Sequence, residues 1–131
     1  MNCIFCKIVK GEIPSYKIYE DKDFLAFLDI NPRNPGHCLV IPKKHYRWVW
    51  DIENIDEYYK IVGKIANAIR KAFDTEQVAS VIWGEEIPHA HVWLVPRFTD
   101  DGLENPFREG TVKKLSKEEM DSIAKKIRES F

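Results

Sequence analysis

The chain has no long apolar run, no internal repeat, no low-complexity tract and no excess of charge of one sign. Each absence excludes something. No stretch approaches the roughly 20 apolar residues that span a bilayer, so no membrane partner is expected. Lysine plus arginine number 20 and aspartate plus glutamate 21, which gives a net charge of -1. A duplex-binding protein needs a basic face to neutralise phosphates, and this balance does not supply one. Cysteine is scarce, at three residues. The opening MNCIFCKIVKGE has no long apolar stretch ending in a cleavage site, so a cytoplasmic protein with free or metal-binding thiols is expected.

What is present reads as one ordinary globular domain over residues 1–131, with 44% hydrophobic and 31% charged residues. Short strands are expected at YKIYE (16–20), FLAFLDI (24–30) and HCLVIP (37–42), with the breaker NPRNPG (31–36) between the last two. Residues 55–73 carry apolar groups at helical spacing. Strands at VASVIW (78–83) and HAHVWLV (89–95) follow, then a polar loop over 98–114. Ser116 and Glu119 match a capping box, and Met120, Ile123, Ala124 and Ile127 mark one face of a last helix. Short links between neighbouring strands favour an antiparallel sheet in an α+β fold.

All four histidines lie in or beside two of the expected strands. Alternate residues of a strand share a face, so His89, His91 and Trp93 point one way and Ala90, Val92 and Leu94 the other, onto a helix. The bland account is a solvated face with incidental histidines. His37 and His45, clustered at the ends of the third strand, weigh against it. Cys3 and Cys6 have the C-x2-C spacing of a zinc half-site. A redox pair or two buried thiols fit that spacing as well, and spacing alone cannot say which histidines complete a tetrahedron. Cys38 reads as a small buried hydrophobe.

The pieces CIFCKI (3–8), LAFLDINP (25–32), GHCLVIPKKH (36–45) and HAHVWLVPR (89–97) together resemble the histidine triad family, in its type that begins with CxxC. The family motif is His-φ-His-φ-His-φ-φ, where φ is apolar. The resemblance implies a five-stranded antiparallel sheet with one long and one C-terminal helix, paired into a homodimer with a joined sheet. It implies hydrolysis or transfer at the α-phosphorus of a nucleoside 5′-phosphate derivative, through a covalent histidine–nucleoside monophosphate intermediate. His91 would be the nucleophile, with its second ring nitrogen oriented by the His89 carbonyl. His37 would support it. Asp29 would hold the ribose hydroxyls of a purine nucleotide, and Ile4, Phe5, Ile8, Phe27, Ile30 and Leu39 would wall the base and sugar. The resemblance also selects Cys3, Cys6, His45 and His89 as a structural Zn2+ site. No organic cofactor is implied.

Two features depart from the family. The third motif histidine is Trp93, which offers one N–H to a bound nucleotide and no titratable acid. The approach, VIWGEEIPH (81–89), lacks the family's asparagine and Gly-Gln-Ser, and it carries Glu85 and Glu86, which would repel a phosphate unless they point away. Two rival readings follow. One is a weak or inert nucleotide-binding module on the same fold. The other is a zinc or redox protein that works through its CxxC.

Overall fold

The computed structural model describes residues 2–103 and 112–131. The part of the expected polar loop that falls on 104–111 lies outside the described residues. Five strands form one antiparallel sheet: β1 (Lys17–Glu20), β2 (Phe24–Leu28), β3 (Cys38–Pro42), β4 (Val78–Val81) and β5 (Val92–Pro96). Their order across the sheet is β1-β2-β3-β5-β4. Helix α1 (Ile4–Val9) precedes the sheet, α2 (Ile55–Phe73) joins β3 to β4, and α3 (Lys117–Arg128) follows β5. A single 3-10 turn at Val49–Asp51 leads into α2.

The sheet is covered on both faces. Ala26, Leu28, Cys38, Val40, Val92 and Leu94 pack with Tyr58, Val62, Ile65 and Ile69 of α2 and with Met120, Ala124 and Ile127 of α3. On the other face, Leu25, Phe27, Leu39 and Ile41 pack with Cys3, Phe5 and Ile8 of the α1 segment, and Trp93 lies against them. This explains why β2 and β3 are buried at every position instead of alternating. A central strand between two helical layers has no solvent side. Tyr58 anchors α2 to the sheet centre, its hydroxyl donating to the Val40 carbonyl at 2.6 Å.

Helix α1 was not expected from the sequence. It has only six residues, and its buried positions, Phe5 and Ile8, span a single turn. Its start is capped by a thiol, with the Cys6 N–H donating to Cys3 Sγ at 3.4 Å. The second difference is at the histidines. The strand expected over 89–95 begins at Val92, so His89 and His91 precede it. The ladder to β3 ends at the Val40–Val92 pair. Beyond it, the His89 ring takes the Pro42 carbonyl at 2.8 Å, and the Ala90 N–H goes to the Tyr46 carbonyl at 2.7 Å. Pro42 itself has no N–H to give. The expected alternation survives this: Ala90, Val92 and Leu94 face α2, and Trp93 faces α1. The capping box at Ser116 and Glu119 forms in full.

The turn between β2 and β3 is held by Gly36, at φ +94. A Cβ there would lie 2.5 Å from the Phe73 ring at the end of α2. Left-handed backbone and close packing therefore coincide at one residue. Gly36→Ala is expected to lower stability by about 1–3 kcal/mol, read as an earlier urea midpoint with an unchanged denaturant slope.

Candidate functional site

His89 has two hydrogen-bonded roles. Its Nε2 donates to the Pro42 carbonyl at 2.8 Å, so its Nδ1 is left with the lone pair. Its backbone carbonyl accepts from His91 Nδ1 at 2.7 Å. That bond fixes the His91 tautomer, and Nε2 is then the nitrogen with the available lone pair. Phe5 meets both rings edge-on, with centroids 5.8 Å from His89 and 5.2 Å from His91. Burial lowers the pKa of His89 to about 4 and also lowers that of His91. For His91 the His89 carbonyl opposes the shift, Arg47 adds to it and Glu86 opposes it. Both rings are therefore held neutral, the state in which an imidazole is a ligand or a nucleophile.

The His89 Nδ1 lies 3.3 Å from Cys3 Sγ and 3.5 Å from Cys6 Sγ. His45 Nδ1 lies 3.4 Å from Cys6 Sγ. The four donor atoms of Cys3, Cys6, His45 and His89 all fall within 4.8 Å of one another. A tetrahedral ion with sulfur and imidazole ligands at the usual bond lengths separates S from N by about 3.6 Å. The observed spacings sit close to that edge. Burial and the adjacent Cys3 raise the Cys6 thiol pKa above its ordinary value, so the Cys6 thiol resists ionising without a cation beside it. The four residues can hold a metal ion. They come from the α1 segment, the loop after β3 and the approach to β5, so an ion here would tie three parts of the chain together.

Next to this cluster is a cleft of about 340 Å³. Ile4, Phe5, Ile8, Phe27, Asp29, Ile30, Leu39, His91 and Trp93 all line it, so the structure brings every expected nucleotide-binding residue to one place with the expected nucleophile. Ile30 is 76% exposed and Ile4 46%, which makes them an apolar rim. Asp29 is partly committed already. Its Oδ1 accepts the Asn31 N–H at 2.8 Å, closing the turn after β2, while Oδ2 lies 3.6 Å from His37 Nε2. Burial raises the Asp29 pKa against the opposing pull of the Asn31 N–H and Arg33.

His37 is fully buried rather than on the cleft wall. Its Nδ1 accepts the Arg33 N–H at 3.1 Å, and its ring centroid is 4.7 Å from that of Trp93. Burial and the Arg33 charge push its pKa down to about 3. A side chain this hard to protonate holds the 33–37 turn against Trp93 in its neutral form.

The cleft lining also includes Arg33, Trp83 and Ile87, which the sequence reading does not place there. Arg33 stands inside the NPRNPG breaker, and a charged residue between two prolines beside Asp29 was the signal available. Glu86 lines the cleft too, as its position before the motif suggested. Arg47 donates to the Gly84 carbonyl at 2.8 Å and lies 3.6 Å over the Trp48 ring, fixing the 83–86 approach from outside.

Residues 10–100 match the model of the HIT domain. The chain belongs to the HIT domain family. It is 40% identical over 132 residues to an uncharacterised HIT-like protein of Methanocaldococcus jannaschii, covering 96% of this chain and 98% of that one. It is 44% identical over 100 residues to the adenosine 5′-monophosphoramidase of Saccharomyces cerevisiae, covering 72% and 62%. Among solved structures, a Zn-bound histidine triad family protein from Mycobacterium smegmatis superposes with a TM-score of 0.79 at 30% identity, covering 99% and 93%. The HIT fold therefore extends over the described chain, including the α1 segment that precedes the matched 10–100 region.

The donor geometry yields a direct expectation. The purified protein should carry about one tightly held divalent ion per chain, measured by elemental analysis. Cys6→Ser or His45→Ala should reduce that content to a small fraction, and chelation of the wild type should lower its Tm.

Proposed function

We propose that this HIT domain protein hydrolyses nucleoside 5′-phosphate derivatives at the α-phosphorus, with His91 as the nucleophile. The observation that carries the reading is the 2.7 Å bond from His91 Nδ1 to the His89 carbonyl, on a residue that also lines the cleft. It commits one ring nitrogen and leaves Nε2 for in-line attack. The nucleoside would lie between Ile4, Phe5 and Ile8 on one side and Phe27, Ile30 and Leu39 on the other. Asp29 Oδ2 would accept from the ribose hydroxyls. His37, kept neutral, would position the 33–37 turn. Attack would give a His91–nucleoside monophosphate adduct, and water would release the monophosphate and restore the imidazole. The named activity of the yeast relative supports an adenylyl substrate.

The ion in the cluster would be zinc, held by Cys3, Cys6, His45 and His89. Two thiolates and two neutral imidazoles are a donor set suited to that metal, and all four positions are protein-supplied. Such a closed site supplies structure: it locks the His89 ring and carbonyl, and the carbonyl orients His91. The homodimer belongs to the same proposal, with equilibrium sedimentation as its check.

The rival with a specific observation behind it is an inert nucleotide-binding module. Trp93 stands where the family has a third histidine, and Glu86 adds a carboxylate to the cleft. A redox role for the cysteines has less support, because His45 and His89 complete a four-donor set around them.

The test is AMP release from adenosine 5′-phosphoramidate and from diadenosine tetraphosphate, with wild type beside His91→Ala. Release from at least one substrate, falling at least about 1,000-fold in the variant, is the expected result. AMP binding with no release from either would establish the inert module.

A further inference from the structure

We propose that Arg33 binds the departing group as an anion, which makes nucleoside 5′-phosphoric anhydrides, rather than phosphoramidates, the preferred substrates of this protein. The inference rests on the hydrolase reading above and specifies its substrate class.

The argument starts from the two possible leaving groups. An amine cannot leave phosphorus until its nitrogen has gained a proton, so phosphoramidate cleavage needs an acid at the leaving-group position. An anhydride needs none. His91 Nε2 forms a bond to the α-phosphorus, and the bridging P–O bond breaks. Its electron pair stays on the oxygen of the departing phosphate, which leaves as an anion. Water then attacks the phosphorus, the P–N bond breaks with its pair returning to Nε2, and one proton goes to solvent. What the second pathway needs is a fixed positive charge where the anion forms.

The acid is missing and the charge is present. Trp93 replaces the residue that would supply a proton, and indole has no titratable acid. His37 beside it is held neutral by burial. Arg33 lies over that same tryptophan, its guanidinium carbon 4.9 Å from the ring centroid, and it lines the cleft. Stacking on an aromatic face leaves the edge of the guanidinium plane for hydrogen bonding. Its pose is set from two sides. The Arg33 backbone N–H is held by His37 Nδ1 at 3.1 Å, and one terminal nitrogen donates to the Asn31 carbonyl at 2.9 Å. Its Nε is buried and has no hydrogen-bond partner. Arginine N–H groups are costly to bury unpaired, and a phosphate oxygen is the acceptor their fork geometry suits. Two carboxylates oppose Arg33 in the cleft: Asp29, which interacts with it, and Glu86, which acts on Asp29 and His91. Glu86 would favour a cationic leaving group, so it and Arg33 make opposite forecasts.

The experiment measures kcat/KM for diadenosine tetraphosphate and adenosine 5′-phosphoramidate in wild type, Arg33→Gln, Arg33→Lys and Glu86→Gln. It also measures binding of ADP and AMP to each. Wild type is expected to favour the anhydride. Arg33→Gln should lower the anhydride-to-phosphoramidate ratio at least about tenfold, the effect of one lost charge-assisted hydrogen bond. Arg33→Lys should restore part of it, since the charge remains without the fork. ADP should bind wild type about tenfold tighter than AMP, and Arg33→Gln should erase that difference. A ratio unchanged in Arg33→Gln overturns the proposal, as does a loss of turnover confined to Glu86→Gln. If neither substrate is cleaved by wild type, the hydrolase reading fails, and the ADP-against-AMP comparison still decides what Arg33 binds.

Discussion

His89 is the residue on which the site depends. Its ring donates to the Pro42 carbonyl, its other ring nitrogen faces two cysteines, and its own carbonyl receives the His91 ring. Three constraints meet in one side chain and its peptide. The cysteine cluster and the His91 ring are therefore joined through one residue, His89, which is not itself in the cleft lining. The tautomer that aims Nδ1 at the cysteines exists because β3 ends in a carbonyl that no strand partner claims. The edge of the ladder and the chemistry of the site are one arrangement.

The same economy governs the sheet. β2 and β3 are buried on both faces because α2 and α3 cover one and α1 covers the other. The side packed on α2 and α3 is the larger core. The side under α1 is smaller and only partly covered, and the cleft opens there. Six helical residues thus supply apolar wall through Ile4, Phe5 and Ile8, and their segment supplies two sulfur donors through Cys3 and Cys6.

Much of this was legible in the residues. Long or strongly patterned elements were read correctly: α2 from its apolar stripe, α3 from Ser116 and Glu119, and the sheet from its breakers. The face assignments of Ala90, Val92, Leu94 and Trp93 follow from a period of two, and they hold even though His89 and His91 lie outside the ladder. The cluster of Cys3, Cys6, His45 and His89 came from resemblance, because spacing could not choose among four histidines. What stayed hidden was short or non-local. α1 is one and a half turns long, too brief for periodicity to register. The start of β5 depends on where β3 stops offering partners, far away in sequence. Arg33 was masked by its setting, since a turn rich in proline and asparagine reads as punctuation.

Four tryptophans divide between two environments. Trp83 and Trp93 line the cleft, whereas Trp48 and Trp50 sit outside its lining, 44% and 70% exposed. Trp93 has an imidazole 4.7 Å and a guanidinium 4.9 Å from its ring centroid. The protein therefore carries its own optical probe of occupancy. With the two outer indoles replaced by phenylalanine, its tryptophan fluorescence, excited selectively over the five tyrosines, would come from the cleft alone. Ligand entry could then be followed in real time, without a label.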